Sequence, residues 1–314
     1  MKAVICDRYG PPESLHLADV SVPDPGAGEV LVRVHCSTVN RTDTATLRGH
    51  PFFARAMTGW WRPRHRITGM DFAGVVERCG AGVERFAPGN RVFGMSPERF
   101  GAHAEFICVP QNGAVAVIPD PVPMDEAVIC EGAWYASSTV KRLARGQSIL
   151  IYGASGAIGT AAVQLARARG AHVTAVVGPR HLSLARDLGA GQVLDYTVED
   201  FTAIGETFDV VMDAVGHTSY FACRSLLKPG GLYCATDLGP VWSNIWLAAL
   251  RGGRVGVPFP TDAPGFVQDL AGLMQSGQVK GVFDRRFAVD DVIEAFRFVE
   301  TGHKTGIVRL DLAA

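Results

Sequence analysis

The sequence predicts an α/β protein with two domains, because two hydrophobic patterns occupy different parts of its 314 residues. Short strands with alternating apolar and polar residues fill the first 120 residues, separated by turn sequences such as PDPGAGE. This pattern predicts a small, mostly antiparallel β-barrel. From about residue 121, near-continuous apolar runs alternate with helix-period segments, as expected for βαβ units in a parallel sheet.

Six apolar runs lie between residues 148 and 259, and six strands make a full dinucleotide-binding sheet. The runs are SILIYG, HVTAVVG, QVLDY, FDVVMDAVG, GLYCATD and RVGVPF. The alternating pattern returns near the end of the chain, as in TGIVRLDL. We therefore assign residues 1–121 and 261–314 to the β-rich domain and residues 122–260 to an inserted cofactor-binding domain.

The composition excludes several classes of protein. The chain has 47% hydrophobic residues, 19% charged residues and a net charge of −1. It contains no block of like charges that would suggest a nucleic-acid-binding surface. The start, MKAVICDRYGPPE, lacks a signal-peptide core, and the run IWLAAL is too short to span a bilayer. Seven scattered cysteines without a CxxC pair indicate reduced thiols. We expect a cytoplasmic protein without stable membrane insertion.

A glycine-rich turn in ILIYGASGAIGTAAVQLARARG is the most informative motif. It follows a strand that ends at Tyr152 and precedes a helix. Small residues there permit a tight turn and a close approach to a pyrophosphate, which the positive helix end then faces. Ala154 replaces the first glycine of the strict G-x-G-x-x-G, so the motif depends on its strand–turn–helix context. The predicted cofactor contacts here are Gly153, Ser155, Gly156, Ala157, Ile158 and Gly159.

The end of the second strand of this domain favours NADPH. NAD-binding units place an Asp or Glu there to bind the ribose 2′-hydroxyl. No acidic residue occurs between Ala171 and Arg186. Instead, Gly178 leaves space and Arg180 supplies positive charge for a 2′-phosphate, although Arg180 facing solvent is the alternative.

The domain order and four motifs resemble the medium-chain dehydrogenase/reductase superfamily. The motifs are GMDFAGVVERCGAGVERFAPGNRVFG (69–94), FGAHAEFICVP (100–110), DAVG (213–216) and GHKTGIVRL (302–310). The most similar subgroup is that of zinc-independent, NADPH-dependent quinone oxidoreductases and enone or enoyl reductases. This resemblance implies a GroES-like β-barrel catalytic domain, a Rossmann domain with a six-stranded parallel sheet, and a homodimer, for which residues 242–253 are the candidate interface.

The resemblance also implies further cofactor contacts. In the similar subgroup, a tyrosine after the third strand of the sheet binds the 2′-phosphate, which here points to Tyr196 beside Gly178 and Arg180. A structural role for Tyr196, as a partly buried strand-end residue, is the alternative. The other expected contacts are Val215, Gly216, Thr236, Asp237, Leu238, Lys304 and Gly306.

The positions of the catalytic zinc ligands in related enzymes predict that this chain binds no metal. Those relatives use a Cys, a His in a G-H-E triplet and a distant Cys, and the matching positions here are Asn40, Met70 and, with a looser match, Cys130. A catalytic zinc site needs about three protein ligands and a water. Without a Lewis acid, alcohol oxidation loses its driving interaction, whereas a quinone or an α,β-unsaturated carbonyl accepts hydride directly.

The predicted catalytic residues are Asn40, Asp43 and Tyr135. Asn40 and Tyr135 are expected to hydrogen-bond the acceptor carbonyl, with water as a proton source. Asp43 either relays a proton or pairs with Arg41 or Arg48, and the structural role is favoured. The predicted function is metal-free, NADPH-dependent reduction of a quinone or an activated C=C bond. The alternatives are an alcohol or carbonyl dehydrogenase, and an NADPH-binding sensor or scaffold.

The segment HPFFARAMTGWWRPRHR (50–66) is unusually aromatic and basic. Exposed aromatic residues at this density are typical of a contact surface. The favoured interpretation is a lid over a lipophilic acceptor. The alternatives are packing against the barrel or a partner subunit, and contact with a membrane surface. The predicted lid residues are Phe52, Phe53, Trp60 and Trp61.

Overall fold

The structure is a computed structural model. The chain forms two compact units. The first unit comprises Met1–Glu131 and Asp262–Ala314, and the second comprises Gly132–Thr261. The domain limits predicted from the sequence stay a prediction. The structure describes residues 1–52, 55–237, 243–250, 254–256 and 260–312.

Fifteen strands lie within the described residues. They are β1 (Lys2–Cys6), β2 (Leu15–Asp19), β3 (Glu29–Val39), β4 (Asp71–Cys79), β5 (Arg91–Met95), β6 (Phe106–Pro110), β7 (Val115–Val117), β8 (Ser148–Tyr152), β9 (His172–Val177), β10 (Gln192–Asp195), β11 (Phe208–Asp213), β12 (Leu227–Ala235), β13 (Val255–Gly256), β14 (Phe283–Ala288) and β15 (Ile307–Asp311).

Nine α-helices lie in the same residues. None of these described helices is both long enough and apolar enough to cross a bilayer. The helices are α1 (Arg41–Arg48), α2 (Arg55–Thr58), α3 (Cys130–Val140), α4 (Ala157–Ala168), α5 (Leu182–Asp187), α6 (Tyr220–Cys223), α7 (Ser243–Leu250), α8 (Ala263–Gln275) and α9 (Val292–Glu300).

The first unit is β-rich, as the alternating sequence pattern predicts. A seven-stranded sheet has the order β14-β15-β3-β4-β5-β7, with β6 paired to β3, and β1 pairs with β2 in a separate two-stranded sheet. Its neighbouring strands are antiparallel except for β14 and β15. Helix α9 buries an apolar stripe at helical spacing, Val292, Ala295, Phe296 and Val299.

The end of β3 departs from the alternation predicted by the sequence. Arg33 and His35 are exposed between buried neighbours, but Ser37, Thr38 and Val39 are all buried. The physical reason is that β3 lies between β15 and β4 here, and the Ser37 hydroxyl donates a hydrogen bond to the Asp71 carbonyl at 2.6 Å. A polar network therefore begins inside the first unit, at this end of β3.

The second unit confirms the predicted six-stranded Rossmann sheet. All of its strands are parallel, in the order β10-β9-β8-β11-β12-β13. The central residues of β8, Ile149–Ile151, are fully buried, which explains the continuous apolar run. The strand order reverses between β8 and β11, and in open α/β sheets ligands bind outside the carboxyl ends of the strands at this point.

The seven cysteines are all free thiols. Five of them are buried, and only Cys79 and Cys108 are partly exposed. Burial raises the pKa of Cys6 and Cys223 to about 11 and that of Cys36 to about 12.

Candidate active site

The glycine turn of the second unit has the geometry that a bound pyrophosphate requires. Gly153 has a φ of 78°, and a Cβ on Gly159 would lie 2.2 Å from the Gly153 carbonyl oxygen. Gly156 precedes α4, and no side chain caps that helix end. The first-turn N–H groups and the positive helix end are therefore left for an anion. The residues present fit the diphosphate of a nicotinamide cofactor.

Two predicted 2′-phosphate residues lie together beside this turn. A Cβ on Gly178 would lie 3.1 Å from the Tyr196 hydroxyl, so the phenol rests against the glycine. The Tyr196 side chain is 51% exposed, and its ring centroid is 6.2 Å from that of Tyr152. Arg180 is exposed on the 3-10 turn that directly follows Gly178.

The loops after β11 and β12 also converge at the carboxyl edge of the sheet. The Asp213 carboxylate accepts hydrogen bonds from the N–H groups of Val215 at 3.0 Å and Gly216 at 2.8 Å. Gly216 has a φ of 79°, and a Cβ there would meet the Asp237 carboxylate. Thr236 donates its N–H to the Asp213 carbonyl at 2.9 Å. Leu238 lies outside the described residues.

Asp213 was not among the predicted site residues, although the sequence motif that contains it was identified. Burial raises its pKa, and the N–H groups of Thr218, Val215 and Gly216 oppose this rise by stabilising the carboxylate. By accepting these N–H groups, the Asp213 carboxylate fixes the conformation of the loop that follows β11. An aspartate at a strand end, three residues before a glycine, is the sequence signal that identifies it.

Asn40 lies at the centre of a buried polar cluster in the first unit. Its backbone N–H donates to Asp43 Oδ2 at 2.8 Å. Its side-chain Nδ2 donates to Thr38 Oγ1 and to Glu131 Oε2, both at 2.7 Å. The Glu131 N–H in turn donates to the Asp71 carboxylate at 3.0 Å. Both Nδ2 protons of Asn40 are therefore engaged within the cluster.

The three carboxyl groups of the cluster are almost fully buried. Asp43, Asp71 and Glu131 are 3%, 1% and 4% exposed. Burial raises the pKa of Asp43 and of Asp71 well above the usual range, and the charge of Glu131 raises both further. Burial also raises the pKa of Glu131, whereas hydrogen bonds from Thr42 and Asn40 oppose the rise. Asp43 and Asp71 therefore keep protons that exposed carboxyls would release, beside a Glu131 that carries the negative charge.

Lys304 is the cationic member of this cluster. Its Nζ donates to the Gly306 carbonyl at 2.6 Å. Burial lowers the pKa of Lys304 to about 8, while the charges of Glu131 and Asp284 oppose that shift. Gly306 has a φ of 61°, and a Cβ there would lie 2.1 Å from the Val282 carbonyl oxygen. The predicted contact of Lys304 and Gly306 with the cofactor stays a prediction.

A buried neutral histidine fixes the backbone beneath the cluster. His103 is 0% exposed, and burial lowers its pKa to about 4. Its Nε2 lies 2.8 Å from the Thr38 carbonyl and must donate to it, so Nδ1 accepts from the Thr68 hydroxyl at 2.8 Å. Gly69 leaves room for the ring, since a Cβ there would lie 2.3 Å from His103 Cδ2.

The donor atoms at the positions of the relatives' zinc ligands do not fit zinc. Asn40 offers a neutral amide and Met70 a buried thioether, and neither supplies the thiolate, imidazole or carboxylate that zinc prefers. Burial raises the pKa of Cys130 well above its usual range, which disfavours the thiolate that would bind a metal. Among the described residues, no three His, Cys, Asp or Glu side chains are grouped so as to hold a metal ion.

The remaining predicted residues lie in both units. Tyr135 belongs to α3 in the second unit, with its ring centroid 5.9 Å from that of Trp134. Phe52 and Trp60 belong to the first unit, and their rings meet edge to face with centroids 5.5 Å apart. Trp61 is 88% exposed. Phe53 lies outside the described residues.

Removing one carboxyl from the cluster is expected to change the pH dependence of stability. Because folding raises the pKa of Asp43, its protonated carboxyl contributes stability that is fully present below the pKa of the unfolded state, near 4. This stability is lost as pH rises through the folded-state pKa. Asp43→Asn removes that loss. Urea unfolding should show the free energy of the variant rising relative to wild type between pH 5 and 8, by up to about 1.4 kcal/mol per pH unit.

The control for this measurement is Asp120→Asn, because the Asp120 side chain is 98% exposed. Its stability difference from wild type should stay constant over the same pH range. A flat difference for Asp43→Asn as well would contradict a protonated Asp43.

Similarity to known families agrees with this fold and this nucleotide-binding turn. Sequence models of the alcohol dehydrogenase GroES-like domain and of the zinc-binding dehydrogenase family match residues 26–120 and 188–308. The NAD(P)H oxidoreductase RTN4IP1, mitochondrial, of Mus musculus is 31% identical over 98% of this chain and 88% of its own. The trans-enoyl reductase pgmF of Aspergillus terreus is 32% identical over 91% of this chain and 87% of its own.

A solved structure of the quinone oxidoreductase from Coxiella burnetii superposes with a TM-score of 0.88 and 25% identity, covering 100% of this chain and 99% of that one. The fold and the glycine turn define a nicotinamide-dependent oxidoreductase. The chain belongs to the medium-chain dehydrogenase/reductase superfamily, in its quinone- and enoyl-reductase-like group. These similarities confirm the superfamily identified from the sequence motifs, and they also confirm the predicted fold class.

Proposed function

We propose that the chain is a metal-independent, NADPH-dependent reductase of quinones or of C=C bonds conjugated to a carbonyl. The observation that carries this proposal is the engaged Asn40 amide at the position of a zinc ligand, held by Thr38 and Glu131. When bound, a reduced nicotinamide supplies hydride, and an activated acceptor takes it at carbon without a Lewis acid.

The buried cluster of the first unit supplies a protonated, water-excluding environment. Glu131 orients the Asn40 amide, and Lys304 balances part of the negative charge. A lysine whose pKa is about 8 can release and regain a proton near neutral pH.

Tyr135 keeps its proposed role as a hydrogen-bond donor to the acceptor carbonyl. Asn40 takes a positioning role instead, because both of its Nδ2 protons are engaged by Thr38 and Glu131. Asp43 has the structural role, but it accepts the Asn40 N–H and does not pair with Arg48, which binds Glu300. The exposed Phe52, Trp60 and Trp61 keep their proposed role as a lid.

The choice of NADPH over NADH rests on the turn after β9. Gly178 lies against the Tyr196 phenol, and Arg180 follows two residues later. No carboxylate occupies the strand end that would bind a ribose 2′-hydroxyl. A phenol and a guanidinium are both donors that suit a 2′-phosphate.

Arg180→Ala is expected to weaken NADPH binding by roughly 10- to 100-fold, the range for losing a hydrogen bond to a charged group. NADH binding should not change, because NADH lacks the phosphate. Fluorescence titration of both cofactors measures this. The matched control is Arg169→Ala, an exposed arginine at the other end of α4. Equal losses for NADPH and NADH would contradict the 2′-phosphate assignment.

The function itself is tested by following absorbance at 340 nm with EDTA-treated protein. NADPH and NADH are compared against quinones and enones of increasing size, with a panel of alcohols and NADP⁺ as the competing reaction. Oxidation of NADPH by a quinone or an enone supports the proposal. Activity confined to alcohols, or cofactor binding without turnover on any acceptor, overturns it in favour of a dehydrogenase or a sensor.

We also propose a cytoplasmic homodimer. Residues 243–250 of the candidate interface form α7, in which Trp246 is 63% and Leu250 is 78% exposed. Exposed apolar side chains of this size support an interface. The molecular mass in sedimentation equilibrium tests the dimer, and the location of the tagged full chain tests the compartment, since one relative has "mitochondrial" in its name.

A further inference from the structure

Three large aromatic side chains project from the segment that follows α1. Phe52 is 56% exposed, Trp60 is 49% exposed and Trp61 is 88% exposed. Exposed apolar side chains usually occur singly on protein surfaces. Here they follow one another closely in the chain, and two of them touch, so they form one aromatic surface.

The turn that carries the tryptophans is closed by hydrogen bonds. The Arg64 N–H donates to the Thr58 carbonyl at 2.7 Å, and the Tyr9 hydroxyl donates to the Gly59 carbonyl at 2.6 Å. Gly59 has a φ of 120°, and a Cβ there would lie 2.1 Å from the Arg62 carbonyl oxygen. The exposure of Trp61 is therefore imposed by a defined turn.

The segment that carries this aromatic surface has charge of one sign in sequence. Residues 44–70 contain five arginines and two histidines but no Asp or Glu, although the whole chain has a net charge of −1. Arg48 pairs with Glu300, and Arg66 pairs with Asp7. Within the described part of the chain, Arg62 and Arg64 form no ion pair, and both are exposed.

We propose that this surface, formed by Phe52, Trp60, Trp61, Arg62 and Arg64, docks the protein on an anionic phospholipid bilayer. Aromatic rings favour the boundary between headgroups and acyl chains, and arginines favour the negative surface of the lipids. A protein partner would require apolar shape complementarity, but it would not require this excess of positive charge. The docking surface shares Phe52, Trp60 and Trp61 with the proposed lid, so the two arginines, which are not part of the lid, test docking separately from the reductase proposal.

The test is sedimentation of the full chain with vesicles of phosphatidylcholine alone, or with about one-third phosphatidylglycerol. Binding is expected only with phosphatidylglycerol, and it should weaken as salt is raised. Arg62→Gln with Arg64→Gln should reduce partitioning by about 25-fold, at roughly five-fold for each arginine. Trp61→Ser should reduce it by about ten-fold or more.

Two matched variants control for general effects of charge and apolarity. Lys141→Gln with Arg142→Gln removes the same charge from exposed positions in the second unit. Phe221→Ser removes an aromatic ring that is 53% exposed, as the counterpart of Trp61→Ser. Both controls should bind vesicles like wild type.

Three results would overturn the proposal. These are no binding to either vesicle, equal binding to neutral and anionic vesicles, and wild-type binding by Trp61→Ser. A concentration-dependent dimer that Trp61→Ser abolishes, without vesicle binding, would assign the surface to a second copy of the chain. Reductase activity measured without vesicles should be unchanged by Arg62→Gln with Arg64→Gln, which separates failure of docking from failure of the enzyme.

Discussion

Gly159→Ala is expected to weaken cofactor binding by about 100-fold, because a displacement of about 1 Å in a positioned contact can have an effect of that size. The added Cβ would lie 2.2 Å from the Gly153 carbonyl oxygen and 2.6 Å from Ala154 Cα. Both neighbours are backbone atoms, so the glycine turn itself must move. The free energy of unfolding should also fall by about 1–3 kcal/mol, as in other overpacked sites.

Calorimetric titration with NADPH and urea unfolding measure the two effects separately. The matched control is Gly272→Ala in α8, another helical glycine, where a Cβ would meet nothing within 4 Å. That variant should bind NADPH normally and gain up to about 1 kcal/mol of stability from helix propensity. Wild-type affinity in Gly159→Ala would show that this turn does not approach the pyrophosphate.

Glu131→Leu is expected to lower the free energy of unfolding by about 2–5 kcal/mol, because each buried donor left without an acceptor costs about 1–3 kcal/mol. Leucine leaves an Asn40 Nδ2 proton and the Thr42 hydroxyl without their acceptor. It also removes the negative charge that helps Lys304 to stay protonated. Reductase activity should fall as well, because Glu131 no longer holds the Asn40 amide in its orientation.

Glu131→Gln separates hydrogen bonding from charge. Its amide oxygen can still accept from Asn40, and its amide nitrogen can donate to the Thr42 hydroxyl. The loss of stability should therefore be about 1 kcal/mol, while the pKa of Lys304 should fall further below about 8. Urea unfolding at pH 7 and a pH–rate profile measure these effects. A Glu131→Leu variant within about 1 kcal/mol of wild type would contradict the described role of the cluster.

The second unit was the easier part to predict from sequence. Its strands are buried on both faces, so each appears as a short, continuous apolar run between turns. The glycine turn is local as well, since Gly153 and Gly159 lie only six residues apart. Steric requirements between residues this close in the chain can be recognised directly from the residue types in the sequence.

The polar cluster could not be predicted in the same way. The contact between Asn40 and Glu131 joins residues 91 positions apart, and it depends on where β3 and α3 lie in the fold. Sequence motifs indicated Asn40 and Asp43 but gave no reason to choose Glu131. The alternation in β3 also fails at Ser37 and Val39, because tertiary packing buries both faces there. Sequence patterns alone therefore do not identify Glu131, the residue that orients the Asn40 side chain.

The buried thiols have a consequence for an enzyme that handles conjugated carbonyls. Such molecules alkylate cysteine by conjugate addition, and the thiolate is the reactive form. With a pKa of about 11 for Cys6 and Cys223, only about one thiol in ten thousand would be ionised at pH 7. Burial of these side chains therefore protects the protein against covalent inactivation by the electrophiles that it is proposed to consume.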